Sequence, residues 1–329
     1  MTPRDGARRR RAALAGALTA ATLALAACGM PGQPGAGAAG GDVGGVVTGE
    51  QADRIAHRVL GQDATIRSGV ADAETRISGT YAGEGARAAR GSVLLVSKGV
   101  LPKASTELHD VQVLANSRGA DYPRYLVTSS TPTPGGLPWV HLLVATNAQT
   151  PYRLAMSAQV LPGAQISAFP GTADGSPVVS DDAGYQTRPV DLVRAYAEGL
   201  TSEREDAPYD ADEFATQVRA RAAKQQTDSA AEADISVTHQ VEPDPFVALQ
   251  QLNGDALVFG TIMRNSDYAI KDGQQMAPTP IFSAFVPGRT VLVQQARTAT
   301  AQFLVFSLPK EGRAHLVAAS EMVVGASGY

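Results

Sequence analysis

The chain has 329 residues, 28 Lys and Arg against 32 Asp and Glu, a formal net charge of −4 and a single cysteine. One cysteine excludes an internal disulfide framework. The acidic balance argues against nucleic acid, whose binders carry basic patches, and no stripe of Tyr, Trp or Phe alternates with basic residues.

Residues 1–27 read as a secretory signal. Arg8-Arg9-Arg10-Arg11 precedes an apolar run from Ala12 to Leu25, and Leu25-Ala26-Ala27-Cys28 closes it. The run is too short for a transmembrane helix, which needs about 20 residues. The closing tetrapeptide resembles a bacterial lipobox. That resemblance implies cleavage before Cys28 and a lipid on its sulfur, which also accounts for a lone thiol in an exported protein. Two acyl chains at ~0.8 kcal/mol per buried CH₂ make a stable anchor. The expected location is the extracytoplasmic face of a cell membrane. Five arginines (4, 8, 9, 10 and 11) and Asp5 leave with the signal, so the mature chain carries 23 basic and 31 acidic residues, net −8. Such a charge disfavours a polybasic grip on anionic lipid.

Residues 28–49 are expected to be the lipidated Cys and a flexible tether, since 29–49 hold nine Gly and two Pro. Thr48-Gly49-Glu50-Gln51 then reads as a capping box, with Ala52, Ile55, Ala56 and Val59 on one helical face. A weaker helical stretch covers 71–77. Strands are expected at 92–97, 111–115, 125–129, 139–146 and 152–159. The last alternates, with Tyr152, Leu154, Met156 and Ala158 on one face. A Pro/Gly-rich segment, 163–184, divides a first module (50–162) from a second (185–329).

The second half repeats the order. Pro189 suits a first helical position, and Val193, Tyr196, Ala197 and Leu200 form a stripe. Asp210 and Glu213 suggest the cap of another helix, with Phe214, Val218 and Ala222 facing one way. Strands follow at 235–241, 256–264, 290–296, 302–308 and 315–320. Residues 153–160 align without gaps to 315–322 in their pattern of small and apolar residues, as a duplicated module would.

The lipobox, the Gly-rich tether, Tyr122-Pro123-Arg124-Tyr125-Leu126-Val127, Trp139-Val140 before an apolar strand, and Ala256-Leu257-Val258-Phe259 before a charged turn together resemble a large group of actinobacterial lipoproteins. That group carries a domain of unknown function, and the resemblance spans roughly residues 45–325. It implies an α+β fold of two tandem modules, cystatin-like or nuclear-transport-factor-2-like, each with helices packed on a curved antiparallel sheet. It supplies no catalytic residue.

The residues themselves nominate little chemistry. Gly83-Glu84-Gly85-Ala86-Arg87-Ala88 fits the G-x-G-x-x-A form of a dinucleotide fingerprint. The strand expected at 92–97 leaves no room for the crossover helix that motif requires, so a turn is the expectation and no cofactor is assigned. Glu203, Glu205, Asp206, Asp210, Asp212 and Glu213 crowd together, but Pro208 interrupts them and no Gly supplies the sharp turn of a Ca²⁺ loop. Helix capping is the expected role. His57, His109, His141, His239 and His315 lack zinc-ligand spacing, and His141 and His239 are expected to be satisfied sheet residues. Trp139 is expected to be a core anchor. No G-x-S-x-G elbow nominates a serine. The expectation is therefore a non-enzymatic interaction or scaffold module with no catalytic or metal residues and Cys28 as its lipidation site. Its partners would be the membrane and an envelope protein or an apolar ligand. The alternatives are a carrier of a lipid or other apolar molecule in a sheet cavity, and a cell-envelope hydrolase.

Overall fold

The computed structural model describes residues 44–180 and 183–329. Cys28 and the signal segment lie outside the described residues. The fold is mixed α+β, with helices packed against an antiparallel sheet. The first half contains α1 (Gly49–Arg67), α2 (Ala73–Thr80) and α3 (Gly83–Ser97), then β1 (His109–Asn116), β2 (Arg124–Thr131), β3 (Trp139–Ala145) and β4 (Arg153–Val160). The second contains α4 (Pro189–Thr201), α5 (Glu213–Ser229), β5 (Ala233–Gln250), β6 (Ala256–Ile270), α6 (Pro280–Phe285), β7 (Gln295–Leu308) and β8 (His315–Gly328).

The expected capping box is present. Gln51 N–H donates to Thr48 Oγ1 at 3.3 Å, and Thr48 N–H donates to Gln51 Oε1 at 3.0 Å. The end of the expected tether is already docked: Gly45 N–H donates to Ala173 O at 2.8 Å and Val46 N–H to Ser117 O at 3.2 Å. The cap of α5 is Asp212 rather than Asp210, accepting from Ala215 N at 2.8 Å. Asp210 instead pairs with His315 at 2.6 Å. The strand expected at 290–296 is mostly irregular. Only Leu292 is bridged, to Met276, and β7 begins at Gln295.

Residues 92–97 correct the sequence reading most. They are the last turns of α3, not a strand. Ala88, Ala89, Ser92, Leu95 and Val96 are buried, a helical spacing that the apolar run Val93-Leu94-Leu95-Val96 masks. The expected face of β4 is also interrupted. The register slips between Leu142 and Leu143, whose partners are Met156 and Leu154. Ala155 is the extra residue. Such a bulge moves the residues beyond it to the other face, so Leu154 packs under α1–α3 while Met156 and Ala158 enter a different cluster.

The strand order is β1-β2-β3-β4-β8-β7-β6-β5, so two four-stranded meanders join through their last strands. Gln159 pairs with Ala319 and Val160 with Ala318. In the gapless alignment Ala158 matches Ser320, and this register is centred where those two face each other. The two look-alike strands are thus neighbours about a local two-fold.

The helices cover one face, α1–α3 over the first meander and α4–α5 over the second. On the other face the sheet curls onto itself. Val127, Val140 and Leu142 share one buried cluster with Leu249, Phe259 and Val305, plugged by Phe169 of the connecting segment. The edges β1 and β5 do not pair with each other, but the connection is bonded to both. Ser176 N–H donates to Asn116 O at 2.7 Å, and Val179 N–H to Ala248 O at 2.8 Å. Beside β1 the same face keeps a recess of about 300 Å³, lined by Leu114, Val140, Val160, Ala164 and Ile166 among others.

Candidate functional site

Beyond their short ladder, β4 and β8 part. Continuing the register would set Ala155 opposite Val323. Their carbonyls instead meet α3 at two places. A Cβ on Gly85 would lie 2.4 Å from Ala155 O, and one on Gly91 would lie 2.2 Å from Val323 O. Six helical residues span about 9 Å, against roughly 4.8 Å between paired strands. The helix therefore wedges between the strands. The G-x-G-x-x-A match does open a helix, contrary to the turn expected. Gly85 serves helix–strand contact, because the space of its missing Cβ is taken by a sheet carbonyl rather than left open to a phosphate.

A half-enclosed cavity of about 120 Å³ lies at this wedge. Ala88, Leu154, Met156, Phe303 and Met322 contribute apolar wall, and Asp63, Arg67, Tyr81, His141, Ser157 and Glu321 are among its polar groups. Trp139, expected as a core anchor, lines it and is half-buried.

Asp63 sits on the buried stripe of α1 with Val59, Leu60 and Ala64, its side chain 6 % exposed. A carboxylate there needs partners. Tyr81 OH donates to Oδ1 at 2.5 Å, and Arg67 reaches the same carboxylate through Nε at 2.9 and 3.0 Å and Nη2 at 2.6 Å. The Asp63 charge raises the pKa of Arg67. Burial, then Asp63, holds the Tyr81 phenol well above its ordinary value. Glu321, the cavity's other carboxylate flank, pairs with Arg264 at 3.2 Å and with Arg221. Each carboxylate lining the cavity therefore has a cationic partner.

His141 is 3 % exposed and lies between two cross-strand serines. Ser157 Oγ is 2.8 Å from Nδ1 and Ser130 Oγ is 2.9 Å from Nε2. Burial lowers its pKa to about 4, so the ring is neutral, donating at one nitrogen and accepting at the other. The other singled-out residues are not brought here. His57 is exposed on α1. His109 lies 3.6 Å from Glu107, and His239 Nδ1 is 3.0 Å from Thr201 Oγ1. In the acidic run, Asp206 pairs with Arg204, and Asp212 both caps α5 and accepts from Tyr196 OH at 3.0 Å. Among the described residues no group of three or more His, Cys, Asp or Glu is placed to hold a metal, and no helix is long and apolar enough to cross a membrane.

Asp63, Arg67, Tyr81 and Ser157 were not singled out from sequence. The available signal was a carboxylate at an apolar position of α1 with an arginine four residues on.

Residues 102–328 match a family described as a domain of unknown function, DUF8094, and the chain belongs to that family. No curated protein and no solved structure matches it.

Proposed function

We propose that this protein is a non-enzymatic binding protein of the cell envelope whose cavity beside α3 takes a small, neutral, mostly apolar ligand. The observation that carries this reading is the cavity itself. At about 120 Å³ it is close to the ~150 Å³ apolar cavity that accepts benzene. Its charges are paired, which disfavours an ionic guest, and Ser157 offers a hydroxyl as a polar handle. A space of this size suits a compact apolar guest better than a long lipid chain. Native mass spectrometry of the purified mature protein is expected to detect a bound apolar compound, or saturable uptake of added benzene. Ala88→Phe, which fills the cavity, is expected to abolish both while the variant stays folded. Unchanged binding in that variant, or no uptake by the wild type, would overturn the proposal.

One contact favours a second reading. Ser157 and His141 are spaced as a nucleophile and base would be. The imidazole's far partner is Ser130 rather than a carboxylate, however, and Asp63 is already engaged by Arg67 and Tyr81. No acid is positioned to stabilise an imidazolium. Labelling of Ser157 by a fluorophosphonate probe, lost in His141→Gln, would transfer the site to the hydrolase reading.

We also place the protein at the membrane through Cys28, on the strength of the lipobox and the lone thiol. Cys28→Ala is expected to shift it out of the membrane fraction or leave an unprocessed precursor. An unmodified thiol in the intact mass of the mature protein would sink this.

A further inference from the structure

A second site is written in buried donors at the opposite end of the α1 face. Arg58 on α1, Arg124 opening β2 and Tyr152 just before β4 converge there. Arg58 Nη2 donates to Tyr152 O at 3.1 Å. Arg124 lies over the Tyr122 ring, 4.3 Å from its centre, and donates through Nη2 to Ala120 O at 2.6 Å. Among the described residues neither of these two guanidiniums has a carboxylate within ion-pair distance, in a protein whose acidic residues outnumber its basic ones.

Two polar atoms in this cluster are buried and without a hydrogen-bond partner: Tyr152 Oη and Arg124 Nε. Each can donate, and the guanidinium nitrogen can only donate. Tyr152 is 7 % exposed. Buried donors left unmet cost stability unless something accepts from them. What is missing is an acceptor with several oxygens, and guanidiniums match a phosphate or carboxylate through parallel N–H groups. Two electrostatic effects agree with that reading. Partial burial of the Arg58 guanidinium pulls its pKa down. Burial also pushes the Tyr152 phenol up, against the Arg124 charge, so it keeps its proton to donate.

We infer that Arg58, Arg124 and Tyr152 form a binding site for an oxyanion of the phosphate class. The group has two available sources, free phosphate-type anions and the headgroup of an anionic lipid. The second is within reach for a chain tethered at Cys28. This site is separate from the cavity beside α3 and does not depend on the ligand proposed there.

The test uses the full chain carrying Cys28→Ser, so that no acyl group confounds membrane binding. Melting temperature is followed against inorganic phosphate, with sodium chloride at matched ionic strength as control. A saturable rise specific to phosphate is expected. Arg124→Gln is expected to weaken it about tenfold, the scale of one charge-assisted hydrogen bond. Arg124→Lys, which keeps the charge but not the fork, is expected to recover it only in part. Tyr152→Phe removes the phenol without changing shape and is expected to weaken it several-fold. Vesicles of phosphatidylcholine with and without phosphatidylglycerol separate the sources. Retention that needs phosphatidylglycerol and is lost in Arg124→Gln identifies a headgroup, and phosphate binding without retention identifies a free anion. No phosphate-specific shift, or an equal shift in folded Arg124→Gln and Tyr152→Phe, overturns the site.

Discussion

Gly91→Ala is expected to lower stability by about 2 kcal/mol, the middle of the range for an overpacked site. In an exposed helix the same change adds up to about 1 kcal/mol, because alanine loses less backbone freedom. Here the new methyl would lie 2.2 Å from a carbonyl oxygen of β8. That atom belongs to backbone and cannot rotate aside, so α3 must back out of the wedge. Gly85→Ala meets β4 in the same way, at 2.4 Å. The double variant is expected to lose more than either single one, though less than their sum, because one outward shift of α3 relieves both contacts. Gly61 in α1 and Gly79 in α2 have nothing within 4 Å of an added Cβ. Alanine there is expected to raise stability. Urea midpoints of the four single variants decide the matter. If Gly91→Ala and Gly61→Ala move in the same direction, α3 is not wedged between the strands.

The same glycines show why part of this fold escaped the sequence. Thr48 with Gln51, and the stripe Val193, Tyr196, Ala197 and Leu200, are local signals. The helices they predict are present as α1 and α4. Gly85 reads as part of a turn, and Gly91 as the residue before a strand at 92–97. Their real reason is two strands distant in sequence, at Ala155 and Val323, and no window along the chain contains both. The bulge at Ala155 is illegible for the same reason. It is defined by a slip against β3, whereas β4 alone alternates well enough to suggest one face.

The cavity was legible only in outline. His141 is the satisfied sheet histidine expected, but its serine partners come from two other strands. Asp63 and Arg67 resemble an ordinary surface pair four residues apart. Their difference is burial, and it depends on Tyr81 arriving from beyond α2. The donor cluster at Arg124 and Tyr152 is less legible still, because it is defined by partners that are absent.

Acid is expected to destabilise the protein well before its carboxylates are exhausted, through His141 and His239. Both imidazoles are held neutral by burial, with folded pKa values of about 4 against the ordinary 6.5. At His239 the nearby Arg264 charge adds to the effect, while Glu321 opposes it. Around His141, Asp63 pulls the value up and Arg67 pushes it down, both less than burial does. A histidine depressed in the fold binds its proton first in the unfolded chain. Its contribution is therefore complete above the ordinary value and is lost as pH falls from 6.5 towards 4. The loss at the lower end is on the order of 3 kcal/mol for each ring, from the depression at ~1.36 kcal/mol per unit. Against a typical total of about 5–15 kcal/mol, two such losses are large. Asp212 and Glu242 work the other way, since burial raises their pKa values and their protonated forms suit the fold. The net slope should still be a loss, because those shifts are the smaller ones. Urea unfolding at about pH 7 and about pH 4.5 measures it. His141→Gln keeps a donor and an acceptor between Ser130 and Ser157 but cannot take the proton. It is expected to start less stable at neutral pH and to lose less on acidification. An equal acid loss in His141→Gln and wild type would show that the ring in the β3 core is not what titrates.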